Sequence, residues 1–294
     1  MKKLLLVFIL IGGIYFTFSK WDDHQLVQEN WSVSAKAMIL LDAETDKVLY
    51  KNNSSEPLPI ASMTKLMTQY IVLNSIKSGA LSWDTVYQPS ASVLNMNALT
   101  SASKIGMTAD QTYTVRELFT AMSVISANDA AIALAELVGG TEDQFVSIMN
   151  KQANALKLKN TSFYNSSGLD GSYLGRSEDE TNLASAYDVA LLAQKLIKKH
   201  PEILEFTKMQ SFTSKQNVKM WNTNLLLFGM PLQMAGIDGL KTGYTDAAGS
   251  CFAGTGVFNG KRVISVVIGV EDVDGDSSEP RFTLTRELIE RFTN

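Results

Sequence analysis

Histidine and cysteine are scarce in this 294-residue sequence, and their scarcity excludes several kinds of site. The two histidines are His24, in a polar N-terminal stretch, and His200, directly before Pro201 at the predicted end of a helix. Neither is placed to serve a nucleophile, so a reactive serine would need a different base. Two distant histidines and one cysteine cannot form an ordinary metal cluster, and we expect no metal and no cofactor. The single cysteine, Cys251, also excludes an intramolecular disulfide, and its apolar surroundings favour a buried structural thiol.

An excess of positive charge is also absent. The sequence has 26 Lys and Arg against 30 Asp and Glu, which gives a net charge of −4. A nucleic-acid-binding protein would be expected to carry a basic stripe, so we expect no nucleic-acid partner. With 45% apolar residues, the chain is long enough to bury the core of one large domain or of two small domains.

The N-terminus has the pattern of a targeting segment. Lys2-Lys3 precedes an apolar run over residues 4–18, and no clear small-residue cleavage site follows it. Residues 1–20 are therefore interpreted as a signal peptide or an uncleaved membrane anchor, and residues 21–34 as a linker. Because the positive residues precede the run, residues 35–294 are expected to lie outside the cytoplasm as one folded domain.

Strand patterns occur at both ends of this domain, and helical patterns fill its middle. Strands are predicted at residues 37–41, 48–50, 240–245, 251–258 and 262–270, with Asn259-Gly260 as a hairpin turn. Helices are predicted at residues 63–75, 114–124, 128–137, 141–158 and 280–292, and another follows the cap Ser185-x-x-Asp188. This order predicts an α+β fold, in which an antiparallel sheet from the two chain ends packs against the helices.

The spacing of Ser62 and Lys65 is the first candidate for chemistry. Ser-x-x-Lys on a helix places both side chains on one face, and an apolar helix begins directly after Ser62. Backbone N–H groups at a helix start can stabilise a developing oxyanion. The same spacing recurs at Ser101 and Lys104 without such a helix, so Ser62 is the better candidate nucleophile.

The second candidate is Ser126-Ala127-Asn128, the only Ser-x-Asn in the sequence. It lies between two predicted helices, where serine and asparagine are also preferred as N-caps. The motif alone therefore leaves two interpretations open, a helix cap and a pair of polar side chains in a site.

The third candidate is Lys241-Thr242-Gly243, at the start of a predicted strand. The lysine can hold a carboxylate and the threonine can hydrogen-bond it. The absent side chain of Gly243 would let a substrate backbone pair with the strand. A second copy, Lys77-Ser78-Gly79, ends the helix after Ser62, where the glycine is an ordinary C-cap.

In this order and on these elements, the three motifs resemble those of the penicillin-binding protein and serine β-lactamase superfamily. The resemblance extends over residues 35–294 and is greatest to the low-molecular-mass D-alanyl-D-alanine carboxypeptidases. It implies a β-lactamase/transpeptidase-like fold and a penicillin-binding catalytic domain that is anchored to the outer face of the cytoplasmic membrane or secreted to the cell wall. It also implies peptidoglycan stem peptides as substrates and β-lactams as inhibitors. Further similar stretches are Met38-Ile39-Leu40-Leu41-Asp42-Ala43-Glu44-Thr45, Asn165-Ser166-Ser167-Gly168-Leu169-Asp170 and Gly239-Leu240-Lys241-Thr242-Gly243-Tyr244-Thr245.

The resemblance implies a catalytic role for three of these side chains. Ser62 would be the acyl-forming nucleophile, Lys65 its general base and Ser126 the relay that protonates the departing D-alanine, while Asn128 would bind the peptide amide. For Lys65 to act as a base near neutral pH its pKa must fall, which burial and a second cation such as Lys241 can achieve.

The resemblance also implies how the substrate is held. On the strand Lys241-Thr242-Gly243-Tyr244, the lysine and threonine would bind its terminal carboxylate. The oxyanion hole would consist of the backbone N–H groups of Ser62 and Tyr244. Arg281 is a candidate second cation near the carboxylate, and the alternative is a solvated arginine at a helix start.

Three alternative functions stay open. Glu178-Asp179-Glu180-Thr181-Asn182 matches the Glu-x-Glu-x-Asn spelling of class A β-lactamases, but its distance from Ser126 is long and Ala127 favours a carboxypeptidase. A β-rich second domain and a C-terminal anchor, common in such carboxypeptidases, are not expected here. DD-transpeptidation therefore stays open, and membrane attachment would come from residues 4–18.

The third alternative is a non-enzymatic penicillin sensor. Such a protein would not need both Lys65 and Lys241, so the presence of both lysines argues against it.

Overall fold

The computed structural model describes residues 31–271 and 279–293. The described residues belong to one compact unit, Trp31–Asn294. The predicted signal or anchor segment lies outside the described residues. Within the described ranges, no helix has both the length and the apolar character needed to cross a bilayer.

The secondary structure has the predicted order of strands, helices and strands. The strands of the described chain are β1 (Ala35–Asp42), β2 (Val48–Asn52), β3 (Leu58–Pro59), β4 (Val86–Tyr87), β5 (Tyr113–Thr114), β6 (Thr161–Ser162), β7 (Leu183–Ala184), β8 (Ser211–Thr213), β9 (Lys219–Trp221), β10 (Ile237–Thr245), β11 (Gly249–Phe258) and β12 (Lys261–Val270). The helices are α1 (Lys65–Lys77), α2 (Ala91–Asn95), α3 (Val115–Val124), α4 (Asn128–Gly139), α5 (Glu142–Ala155), α6 (Ala186–Lys199), α7 (Ile203–Thr207) and α8 (Glu279–Thr293). Short 3-10 helices cover Ala61–Thr64, Met96–Ala98 and Gly171–Leu174.

One antiparallel sheet joins the two ends of the chain, in the strand order β10-β11-β12-β1-β2. β1 pairs with β12 on one side and with β2 on the other, so the first strand lies beside the last one. The predicted turn Asn259-Gly260 connects β11 and β12 with left-handed φ angles of 49° and 76°. The predicted α+β fold class is confirmed.

Both faces of the sheet are covered, which explains why its central strands are buried along their length. Side chains alternate between the two faces of a strand. Ile39 and Leu41 of β1 belong to the core that contains the helical middle of the chain, whereas Met38 and Leu40 belong to the core that contains α8. β10 is the outer strand of the sheet, and it packs against the 3-10 helix Ala61–Thr64.

The predicted helix caps are present. The hydroxyls of Thr114, Thr141 and Ser185 each accept the N–H of the residue three positions further on, and Thr114 also forms a full capping box. α5 ends before the predicted Leu158, because Lys157 has a left-handed φ of 62° that a helix cannot continue.

Candidate active site

Ser62 lies on the 3-10 helix that leads directly into α1, as the prediction of a helix start required. Ala61, directly before it, has a φ of 46°, which is uncommon for a residue with a Cβ. Such a conformation persists only where the surrounding structure fixes it. Ser62 is partly exposed, whereas Met63 and Thr64 on the same turn are buried. The turn is therefore packed into the core while the Ser62 residue remains accessible to solvent.

The Lys65 amine is fully buried and has three oxygen neighbours. Its Nζ donates to Oδ1 of Asn128 at 2.7 Å and to the carbonyl oxygen of Ser167 at 2.5 Å, and it lies 2.8 Å from Oγ of Ser62. A carbonyl oxygen can only accept a hydrogen bond, whereas a hydroxyl can also donate one. When the amine is neutral, its two N–H groups therefore satisfy Asn128 and Ser167, and its lone pair is left for the proton of Ser62.

Burial and a neighbouring cation favour this neutral amine. Burial lowers the pKa of Lys65 well below its usual value, and the charge of Lys241 lowers it further, while Asp129 has an opposing effect. Burial also lowers the pKa of Lys241 to about 7, with a smaller effect from the Arg281 guanidinium. The two lysines thus meet the predicted electrostatic requirement for a lysine base.

Asn128 is the first residue of α4, and Ser126 lies two residues before it. The N-cap residue is Ala127, which makes no side-chain cap hydrogen bond, so the helix-cap interpretation of this motif is wrong. Ser126 is buried with a left-handed φ of 61°. The Asn128 amide is held at both ends, because Nδ2 donates to the carbonyl oxygen of Ser103 at 2.9 Å while Oδ1 faces Lys65.

The motif at 241–243 lies on the outer strand β10. Lys241 and Thr242 are buried, and Oγ1 of Thr242 donates to Oγ1 of Thr223 at 2.6 Å. A Cβ at Gly243 would lie 2.9 Å from the carbonyl oxygen of Ile60. The absent side chain therefore makes room for the segment that carries Ser62, which is a different reason from the predicted pairing with a substrate. The Tyr244 side chain is about half exposed.

Arg281 reaches the same strand from α8. Its side chain is buried, and Nη1 donates to the carbonyl oxygen of Gly243 at 2.9 Å and to that of Cys251 at 3.4 Å. The interpretation of Arg281 as a solvated arginine is therefore wrong. Cys251 is a buried thiol, as predicted, and burial raises its pKa to about 11.

The second copies of the motifs lie elsewhere. Lys104 donates to the carbonyl oxygens of Leu99 and Ala102 in its own loop. The copy at 77–79 ends α1, where Gly79 has the left-handed φ of 78° expected of a residue after a helix.

The acidic stretch at 178–182 is part of the site only at its end. Glu178 is exposed, and Glu180 lies 3.8 Å from the Arg176 guanidinium at the surface. Asn182 is buried, where it donates to Oγ1 of Thr64 and to the carbonyl oxygen of Asn165, both at 2.9 Å. Through Asn182, this stretch thus supports the loop at residues 165–170 and the turn that leads into α1.

That loop, residues 165–170, is the part of the site that sequence reasoning did not assign. It supplies the Ser167 carbonyl oxygen to Lys65, and Oδ1 of Asn165 accepts the N–H groups of Ser167 and Gly168. A Cβ at Gly168 would lie 2.0 Å from the carbonyl oxygen of Ala61. The Asn and Gly residues signal a turn, but nothing in the sequence connects it with Lys65.

The fold is that of the penicillin-binding proteins, and the Ser62-Lys65 pair lies where α1 begins. The chain belongs to the D-alanyl-D-alanine carboxypeptidase family, whose sequence profile matches residues 23–272.

Curated relatives agree with this assignment. The chain is 35% identical over 278 residues to D-alanyl-D-alanine carboxypeptidase DacF of Bacillus subtilis, which covers 92% of this chain and 66% of that protein. It is 32% identical over 255 residues to D-alanyl-D-alanine carboxypeptidase DacA of Escherichia coli, with 86% and 60% covered. The chain thus spans about two thirds or less of the length of these relatives.

Solved structures show the same fold. PBP3 of Streptococcus pneumoniae, described as a peptidoglycan synthesis regulatory factor, has a TM-score of 0.84 and 39% identity, with 89% of this chain and 72% of that chain covered. Penicillin-binding protein D2 of Listeria monocytogenes, in its cefotaxime-bound form, has a TM-score of 0.76 and 37% identity, with 89% and 98% covered.

Proposed function

We propose that this chain is a serine-type DD-carboxypeptidase that removes the terminal D-alanine from peptidoglycan stem peptides through an acyl-enzyme on Ser62. The observation that carries the proposal is the buried Lys65 amine, which lies 2.8 Å from Oγ of Ser62 and whose other two neighbours can only accept hydrogen bonds. The names of the curated relatives support the activity.

Acylation follows from this arrangement. Oγ of Ser62 attacks the carbonyl carbon of the penultimate D-alanine while its proton passes to the neutral Lys65 amine. The backbone N–H groups of Ser62 and Tyr244 stabilise the resulting oxyanion. As the peptide bond breaks, Ser126 donates a proton to the leaving nitrogen and regains one from Lys65, so free D-alanine departs with its amine complete. Water then attacks the acyl-enzyme and releases the shortened peptide.

Substrate binding uses the outer edge of the sheet. The peptide adds to β10 as an extended strand, with its terminal carboxylate at Lys241 and Thr242 and its amide at Asn128. Arg281 acts as a further cation behind this strand. We place the domain outside the cytoplasm, with residues 4–18 as its attachment to the membrane if that segment is retained.

β-Lactams should form the same ester with Ser62 and leave slowly. Penicillin-binding protein D2 of Listeria monocytogenes has been solved with cefotaxime and with ampicillin. The surface position of Glu178 and the pairing of Glu180 with Arg176 do not support a β-lactamase that uses this stretch to activate water.

The test uses the full-length chain in detergent with diacetyl-Lys-D-Ala-D-Ala. The wild type should release D-alanine and should gain one penicillin on the tryptic fragment that contains Ser62, whereas Ser62→Ala should do neither. An adduct elsewhere, or equal release by Ser62→Ala, contradicts the proposal. Rapid loss of the adduct would indicate a β-lactamase, and incorporation of added glycine into the peptide would indicate a transpeptidase.

A further inference from the structure

Asp129 directly follows Asn128, and its side chain is completely buried. The carboxylate accepts the backbone N–H groups of Ile105 and Gly106, each at 3.0 Å, from a loop that lies across from the start of α4. It also accepts the N–H of Ala130 at 2.8 Å on its own helix. None of the roles derived above requires this carboxylate.

The same loop holds Asn128. The carbonyl oxygen of Ser103 accepts the backbone N–H of Asn128 at 2.8 Å and its Nδ2 at 2.9 Å. Because Nδ2 is occupied by Ser103, Oδ1 of the same amide must face the other way, toward Lys65 at 2.7 Å. The position of the Ser103 carbonyl therefore sets the direction of the Asn128 amide. It thereby also sets the position of Oδ1, which is one of the two acceptors that face Lys65.

We propose that Asp129 is a positioning residue of the active site. Its carboxylate clamps residues 105–106 onto α4, and this clamp holds the Ser103 carbonyl that orients Asn128 toward Lys65. The inference rests on the proposed function and adds to it a residue that touches neither the substrate nor the reacting atoms.

The charge of Asp129 gives this role a measurable signature. Two charged groups affect the buried Lys65 amine: Lys241, which lowers its pKa, and Asp129, which raises it. Arg281 affects Lys241 in turn. Catalysis needs neutral Lys65, so activity is lost as the pH falls through the pKa of that amine. Removal of the Asp129 charge should therefore move the acid limb of the kcat/KM profile to lower pH.

A second buried carboxylate provides a matched control. Asp188 is also buried at the start of a helix, where it accepts the N–H of Asn160 at 2.6 Å and the hydroxyl of Thr161 at 2.9 Å. It has the same kind of clamping contacts but is not among the groups that affect Lys65. A merely structural carboxylate should behave like Asp188.

The experiment compares Asp129→Asn, Asp129→Ala and Asp188→Asn in the full-length chain, with circular dichroism to select folded protein. D-alanine release and the rate of penicillin acylation are measured from pH 5 to pH 10. Asp129→Asn keeps the shape but loses the charge and one acceptor. We expect kcat/KM to fall about 10-fold in this variant, with the acid limb at lower pH, and about 100-fold in Asp129→Ala. Asp188→Asn should leave the profile in place.

Two results would overturn the inference while the proposed function stands. One is an active wild type with an Asp129→Asn profile that overlays it within twofold. The other is an equal shift of the profile in Asp188→Asn. A wild type that neither releases D-alanine nor binds penicillin would instead reject the proposed function, and the inference with it. If Asp129→Ala does not fold, Asp129→Asn alone decides the matter.

Discussion

The α-carbon of Gly243 faces the carbonyl oxygen of Ile60 so closely that a Cβ on it would lie 2.9 Å away. Ala61 Cβ and the nitrogen of Met63 would each lie at 3.3 Å from the same added atom. Backbone atoms cannot yield as a flexible side-chain end does. The distance between β10 and the turn that carries Ser62 is therefore set by the absence of one methyl group.

Gly243→Ala should push β10 away from Ser62. A displacement of this size is expected to lower the rate of penicillin acylation about 100-fold. Gly79→Ala is the control, because its added Cβ would meet nothing within 4 Å, although its φ is 78°. That variant should lose about 1 kcal/mol of stability and keep its acylation rate. Normal acylation by Gly243→Ala would show that the strand and the turn are not held at this distance.

The burial of Lys241 should destabilise the fold by an amount that depends on pH. Its pKa is lowered by burial to about 7, from 10.5 for an ordinary lysine, so between these values the unfolded chain binds the proton that the folded chain has lost. Stability should therefore rise with pH across this window. Lys241→Met should be more stable than the wild type by several kcal/mol at pH 6, with a much smaller difference at pH 10.

Urea unfolding at the two pH values measures this effect, and D-alanine release should be lost in the same variant. The exposed residue Lys159 provides the control, since Lys159→Met should unfold like the wild type at both pH values. If Lys241→Met is more stable than the wild type by the same amount at pH 6 and at pH 10, burial of the charge is not the cause of the difference.

Arg281→Met should change both stability and the pH dependence of binding. Loss of the hydrogen bond to the Gly243 carbonyl is expected to cost about 2 kcal/mol. Because the guanidinium lowers the pKa of Lys241, its removal should also move the alkaline rise of KM to higher pH. Arg286 is a matched residue on the same helix and donates to the carbonyl oxygen of Leu232. Arg286→Met should lose stability without moving the KM profile.

Ser126 allows its chemistry to be separated from its backbone conformation. Its φ of 61° favours glycine, so Ser126→Gly should be about 1 kcal/mol more stable than Ser126→Ala. Both variants lack the hydroxyl and should lose D-alanine release by 100-fold or more. Thermal unfolding and product release measure the two effects. Release by Ser126→Gly at the wild-type rate would exclude the relay role.

The parts of the fold that follow local rules were predictable. The caps at Thr114, Thr141 and Ser185 and the hairpin Asn259-Gly260 each depend on residues within one turn of the chain. The small sheet β3-β7-β6 was not predicted, because strands of two residues are too short to show a period of two. The pairing of β3 with β7 also depends on tertiary contacts between segments more than 100 residues apart.

The site was predictable in its side chains and not in its backbone. Ser62 and Lys65 are one helical turn apart, so their approach follows from spacing alone. The third neighbour of the amine is the main-chain carbonyl of Ser167, and every residue type carries such a group. The contact between Gly243 and Ile60 was also hidden, since it depends on how the sheet packs against the turn and not on either residue.

The hydrogen bond from Arg281 of α8 to the Gly243 carbonyl joins this helix to the outer strand that carries Lys241 and Thr242. Lateral movement of β10 therefore requires α8 to move with it or the bond to break. A substitution that loosens α8 should for this reason affect β10, even though it leaves Ser62 and Lys65 unchanged.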